Sequence, residues 1–185
     1  MTPFAAHALR AGCIAWLLLT VLNQTVVAQT LDSRAALFAQ YRCPLADLLR
    51  QVFEVPSAYR DRDRFLVLSA PLIQKNYVQC MFAVNRTKLF CEASSGYYDE
   101  APGRPRRSFP SDVTKAAFEN LGFATGNDQK NYSYERDFTG TPDFSEIATL
   151  MLLAMHDGFG ARADARLTVT APFAKKVQAI CKPAN

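Results

Sequence analysis

At 185 residues, with 49% hydrophobic and 21% charged side chains, the chain has the make-up of a globular protein and excludes disordered, collagenous and low-complexity classes. Its formal charge of +4, from 21 Lys+Arg against 17 Asp+Glu, is mild and scattered along the sequence, which does not call for nucleic acid as a partner. Five cysteines without a CxxC spacing, and two histidines, argue against a structural zinc site.

The first residues read as a secretory signal peptide. Residues 1–28 contain no acid, Arg10 supplies an n-region cation, and Ala11 to Leu22 is apolar apart from small or hydroxylated residues. That run has the length of a signal h-region and is too short for a bilayer, which needs roughly 20 apolar residues. Val26-Val27-Ala28 then places small residues where signal peptidase cuts, so cleavage before Gln29 is expected, with an uncleaved N-terminal anchor as the alternative. Cys13 precedes most of the apolar run and does not read as a lipoprotein site. Cleavage removes Arg10 alone among Lys, Arg, Asp and Glu, leaving +3 on residues 29–185. That remainder is expected to be one domain, with no integral membrane segment, in the periplasm or secreted.

In chain order, SRAALFAQY up to Tyr41 suggests a helix, and Pro44 opens a second one to Phe53, with Leu45, Leu48, Leu49 and Val52 at i, i+3, i+4 and i+7. Residues 55–63 read as loop. Arg64 to Ala70 is a strand candidate, followed by Tyr77 to Val84 and Thr87 to Ser94 around a turn at Asn85-Arg86. A turn centred there sets Cys80 opposite Cys91. One face of the hairpin then carries Val78, Cys80, Phe82, Leu89, Cys91 and Ala93 and reads as core. The other carries Tyr77, Gln79, Met81, Lys88, Phe90 and Glu92, a mixture suited to partial exposure.

Residues 94–109 form an excursion rich in Gly, Pro, Tyr and charge, including the cations Arg104, Arg106 and Arg107, best read as a solvated loop. Ser111 is suited to cap a helix whose inner side is expected to hold Val113, Ala116, Ala117 and Leu121, and Gly122 ends it. Asn131 to Phe138 alternates as a strand. A long helix follows, started by Asp143 with Glu146 as an acidic capping box, lined by Ile147, Leu150, Met151, Ala154 and Met155, widened by Leu152 and Leu153, and closed by Gly158 and Gly160. Arg166 to Thr170 suggests a last short strand, and Pro172 to Asn185 a tail. The pattern predicts an α+β domain, an antiparallel sheet with helices packed on one face in the order α-βββ-α-β-α-β.

Residues 29–185 hold four cysteines, Cys43, Cys80, Cys91 and Cys181, and an even number in an exported chain favours disulfides. Three pairings are possible; Cys80–Cys91 with Cys43–Cys181 is expected, against the alternative of two buried thiols in the hairpin. Facing cysteines bond more readily in a non-hydrogen-bonded pair, which a four-residue loop produces and a strict two-residue turn does not. Asn85-Arg86-Thr87 and Asn131-Tyr132-Ser133 are glycosylation sequons, relevant only to a eukaryotic secretory route.

Leu121-Gly122-Phe123, then Asn131-Tyr132 opening a strand, then Ile147 to Gly160 ending in Asp157-Gly158-Phe159-Gly160, resembles the type III secretion chaperone-like superfamily, which includes the YbjN-type proteins, over about residues 43–170. The resemblance implies a sheet with helices on one face and a second face that binds a partner polypeptide or a second copy of the chain. Members of that group usually work in the cytosol, whereas this chain carries an export signal, so only the fold and a binding role carry over.

Catalytic chemistry finds little support. His156, beside Asp157, lacks a nucleophile elbow or cysteine signature to work with. Of the carboxylates Glu92, Asp99, Glu100, Glu135 and Asp137, the pair Glu135 and Asp137 shares a strand face, with Arg136 between them, as an ordinary solvated strand does. No glycine-rich phosphate loop, HExxH or calcium loop occurs. No cofactor and no metal are expected. The expected function is a small exported binding or chaperone-like module that holds a protein partner through Tyr77, Met81 and Phe90 with the Tyr97/Tyr98 loop. The alternatives are a hydrolase-type enzyme using His156 or the carboxylates, and a structural envelope protein stabilised by its disulfides.

Overall fold

The computed structural model describes residues 11–56, 64–70, 76–96, 111–126 and 130–174, with side chains from residue 33 onward. Helix α1 (Ala11–Glu54) is followed by strands β1 (Phe65–Ala70), β2 (Asn76–Ala83) and β3 (Lys88–Ala93). Helix α2 (Asp112–Asn120), strand β4 (Tyr132–Asp137), helix α3 (Phe144–Leu153) and strand β5 (Thr168–Thr170) complete the chain, and a π-helical turn, Ala154–Gly158, extends α3. The sheet is antiparallel in the order β4-β3-β2-β1-β5. This is the α+β class and the element order that the patterning predicts.

Burial alternates strictly along β1 and β3 and through most of β2. Leu66, Leu68, Ala70, Val78, Cys80, Phe82, Leu89, Cys91, Ala93 and Tyr132 are buried, while the residues between them keep intermediate exposure. Ring contacts bring helices onto the buried side. Phe53 of α1 packs edge-on to Phe82 at 5.1 Å, Phe144 of α3 reaches the same ring at 6.2 Å, and Phe118 of α2 lies 5.2 Å from Tyr132.

The N-terminal pattern is corrected in one respect. Pro44 does not open a second helix; it lies inside the single helix α1. Proline in a helix interior costs about 3 kcal/mol through its lost N–H and a clash with the preceding turn. Here one helix keeps Leu37, Phe38 and Tyr41 in line with Leu45, Leu48, Leu49 and Val52, five of them fully or nearly buried. Each buried aliphatic side chain contributes about 1.5–3 kcal/mol, so the continuous stripe outweighs the proline. Among the described residues, no helix is long and apolar enough to cross a membrane.

The β2–β3 connection is a four-residue loop, Val84 to Thr87, with positive φ at Val84 (51°), Asn85 (55°) and Arg86 (67°). A β-branched residue in the left-handed region costs roughly 1–2 kcal/mol. The loop is held by Thr87, whose N–H donates to Ala83 O and whose hydroxyl donates to Val84 O at 2.8 Å, and by Arg86, which donates to Phe53 O at 3.1 Å and lies over the Phe53 ring. Hydrogen bonding of Ser94 N to Tyr77 O makes Tyr77/Ser94 a bonded pair, so Cys80/Cys91, three pairs along, is of the closer non-bonded kind. Their Cα atoms are 4.1 Å apart and the disulfide is formed. Cys43 is also disulfide-bonded; its expected partner Cys181 lies outside the described residues.

Ser111 caps α2 through a hydrogen bond from Thr114 N, and Gly122 (φ 85°) closes it, with Phe123 N reaching back to Phe118 O. The inner side differs from expectation. Val113 is 78% exposed and Ala116 is exposed, whereas Phe118 is fully buried among Phe123, Tyr132 and Phe159. One large ring sets the phase of this short helix against a run of small residues. In α3, Asp143 accepts from Ser145 N and Glu146 N, but the Glu146 carboxylate takes Arg136 at 2.6 Å, so its side chain serves β4 instead of completing a capping box. Ala148, Met151 and Leu152 face inward, and Leu150 and Leu153 stay half-exposed. Gly160 (φ 73°) closes the π turn; Gly158 is buried, where a Cβ would stand 2.6 Å from the Phe118 ring.

Two stability predictions follow from this packing. Gly158→Ala drives a methyl into a ring that cannot leave the core, so urea denaturation should show a loss of about 1–3 kcal/mol, and an unchanged midpoint refutes the contact. Replacing Cys80 and Cys91 together by alanine removes a short covalent loop and should cost about 2–4 kcal/mol in the same measurement.

Candidate functional site

Among the described residues, three places bear on the candidate roles of the chain. The first is the sheet side that carries the partly buried residues of β1, β2 and β3. The register sets Phe65 beside Met81 and Met81 beside Phe90, making an apolar row across β1, β2 and β3, each member half-buried. Val67 and Ala83 adjoin it at intermediate exposure. Of the sequence candidates, Tyr77, Met81 and Phe90 do share this side. The Tyr77 hydroxyl accepts from Asn131 Nδ2 at 2.7 Å, and Asn131 Oδ1 accepts from Ser95 N, which ties the start of β2 to the start of β4. Tyr97 and Tyr98 lie outside the described residues, as do Asp99, Glu100 and the Arg104, Arg106 and Arg107 cluster. Phe65 was not singled out from sequence, although the alternation in Phe65 to Ala70 carries the signal.

At the β4 side of this face stand Glu135 and Asp137, answered among the described residues by one cation. Lys88 bonds Glu135 at 3.0 Å and lies 3.9 Å from Asp137. The hydrogen bond to Glu135, then the attraction of both carboxylates, raises the Lys88 pKa above its ordinary 10.5. A raised folded-state value favours the charged amine, so this pairing is present below that pH and fades as pH climbs through the higher folded pKa. Arg136, between the two acids, points to the helix side and bonds Glu146. The carboxylates therefore behave as a paired strand surface.

The second place is the π turn. His156 is only 6% exposed; its Nδ1 lies 2.6 Å from Asp157 Oδ1 and its Nε2 lies 3.2 Å from Arg162 Nη1. Arginine only donates, so Nε2 accepts from Arg162 and Nδ1–H donates to Asp157. Asp157 also meets Arg34 at 3.4 Å. Further polar contacts run alongside: Ala163 N donates to Ser33 Oγ, and Tyr41 Oη donates to Ala165 O and accepts from Leu167 N. Together these bonds fasten residues 156–167 to α1. Both imidazole nitrogens are engaged, leaving neither for substrate. Among the described residues, no group of three His, Cys, Asp or Glu side chains is placed to hold a metal ion.

The third place, missed from sequence, is a groove of ≈ 270 Å³ beneath β4, lined by Leu121, Tyr134, Ile147, Leu150 and Leu153 with Asn120, Thr149, Arg136 and Glu146 among its polar members. The helical period assigned Leu150 to the core; the tertiary packing leaves it on this groove wall.

If the His156 network is a fastener, His156→Ala should lower unfolding stability by about 1–3 kcal/mol, since it strands a buried hydrogen-bonding site; a variant as stable as the parent in urea would count against that role. No family model, curated protein or solved structure matches this chain.

Proposed function

We propose that the chain is an exported binding module that holds a protein partner on the sheet side away from its helices. The observation that carries this reading is the half-exposed row Phe65, Met81 and Phe90, which spans three adjacent strands whose other side is filled by the chain's own core. Contiguous apolar side chains that keep part of their surface accessible are a feature of interaction sites. Tyr77, with its hydroxyl held by Asn131, adds a stiff amphipathic ring at one end. The resemblance to the secretion chaperone-like superfamily supports the same side of the sheet as the binding side.

Export to the periplasm or beyond is supported by the acid-free apolar leader and by the Cys80–Cys91 bond, a covalent link that persists in oxidising compartments. A hydrolytic role is disfavoured by the engagement of both His156 nitrogens.

The test is capture from periplasmic extract with immobilised protein. Met81→Asp/Phe90→Asp should lose the proteins that the parent retains, while circular dichroism shows the fold intact. The same catch from both proteins sinks the proposal.

A further inference from the structure

The sheet ends at β4, and that edge differs from the other one. Its counterpart β5 has only three residues. Along β4, Ser133 exchanges both backbone hydrogen bonds with Ala124, so its N–H and C=O point away from β3. In a strand, residues two apart share that direction. Glu135 and Asp137 therefore also direct their amides and carbonyls outward, and among the described residues the Ala124 bridge reaches Ser133 alone. An edge of this kind is a template for a further strand.

The side chains beside this edge alternate in character. On the helix side, Tyr134 and Arg136 overlie the groove walled by Leu121, Ile147, Leu150 and Leu153. Helix α3 is apolar on almost every side, a pattern that ordinarily belongs to a helix buried all round, yet Leu150 and Leu153 remain half-exposed here. The groove, at ≈ 270 Å³, falls just under the roughly 300–1,000 Å³ of small-molecule pockets and suits protruding side chains better than a whole ligand. On the opposite side, Glu135 and Asp137 share, among the described residues, the one cation Lys88 and leave a net negative charge, in a chain that is +4 overall.

We propose that the β4 edge is a strand-addition site for an extended peptide in which apolar and basic residues alternate. Backbone hydrogen bonds to Glu135 and Asp137 hold the peptide in register. Its apolar side chains, on the side of Tyr134 and Arg136, enter the groove, and its Lys or Arg side chains, on the other side, meet the two carboxylates. Such division of labour, affinity from the main chain and selection from alternate side chains, is the mode of β-augmentation. A second copy of the chain does not fit the same edge, because pairing β4 with β4 crowds four carboxylates around two lysines. The inference stands apart from the sheet-face reading, since it uses neither Met81 nor Phe90.

The experiment is fluorescence anisotropy of a short, capped, labelled peptide of alternating lysine and leucine against the purified chain. Saturable binding is expected. The same composition in block order, the alternating peptide N-methylated on the amides that face β4, and an alternating glutamate–leucine peptide should each bind at least about tenfold more weakly. Glu135→Lys/Asp137→Lys and, separately, Leu150→Asp/Leu153→Asp should each weaken the lysine–leucine peptide by a similar factor. Both pairs are surface-accessible, and thermal melts by circular dichroism check that each variant is folded. The proposal is overturned if the block or N-methylated peptide binds as well as the alternating one, or if either folded variant keeps the parent affinity. Sedimentation that finds a dimer dissolved by Leu150→Asp also overturns it, in favour of a second copy as the occupant.

Discussion

The bond between Cys80 and Cys91 ties the central strand β2 to its neighbour β3 from within the buried side of the sheet. Side chains in a strand alternate with a period of two, so a slip of one residue turns every side chain to the other face. The disulfide blocks that slip in the hairpin on which the rest of the sheet is built. With that pairing held, Val78, Phe82, Leu89 and Ala93 share the buried side and Tyr77, Met81, Lys88 and Phe90 share the other. The positions of Phe65 on β1 and of Glu135 and Asp137 on β4 inherit the same parity through the ladder.

Two aromatic clusters hold the helices against the inward side, one at each end of the strands. Phe53, Phe82, Phe138 and Phe144 gather near the β2–β3 loop. Phe118, Phe123, Tyr132 and Phe159 gather at the other end. Edge-to-face contacts of this sort add about 0.5–1.5 kcal/mol each beyond area burial. The second cluster depends on close approach: Phe118 lies against the bare Cα of Gly158, so the π turn and α2 touch where any side chain would separate them. The polar bonds of His156, Asp157 and Arg162 then set the course of the chain leaving that turn. The only histidine in residues 29–185 is in this way absorbed by architecture.

What is left outward is a face and an edge of different character. The face offers a half-exposed apolar row with a tyrosine at its end. The edge offers free backbone groups between a leucine-walled groove and a pair of carboxylates. Both have the chemistry of the polypeptide-binding surfaces proposed above. A binding role, with specificity from side-chain alternation, is the reading that these surfaces share.

Much of the fold was legible because it is written in short-range patterns. Strand alternation, Ser111 and Asp143 as caps, Gly122 and Gly160 as stops, and the pairing of Cys80 with Cys91 all depend on neighbours within a dozen residues. Contacts distant in sequence decided the rest. Pro44 stayed within α1 because a stripe running from Leu37 to Val52 buries more than one proline disrupts. Phe118, not the smaller Val113 and Ala116, chose the inner side of α2 because a ring-shaped space awaited it between Tyr132 and Phe159. Leu150 came to line a groove because α2 and β4 stop short of covering it. The period of a helix states which residues share a side; only the elements packed around it state which side is closed.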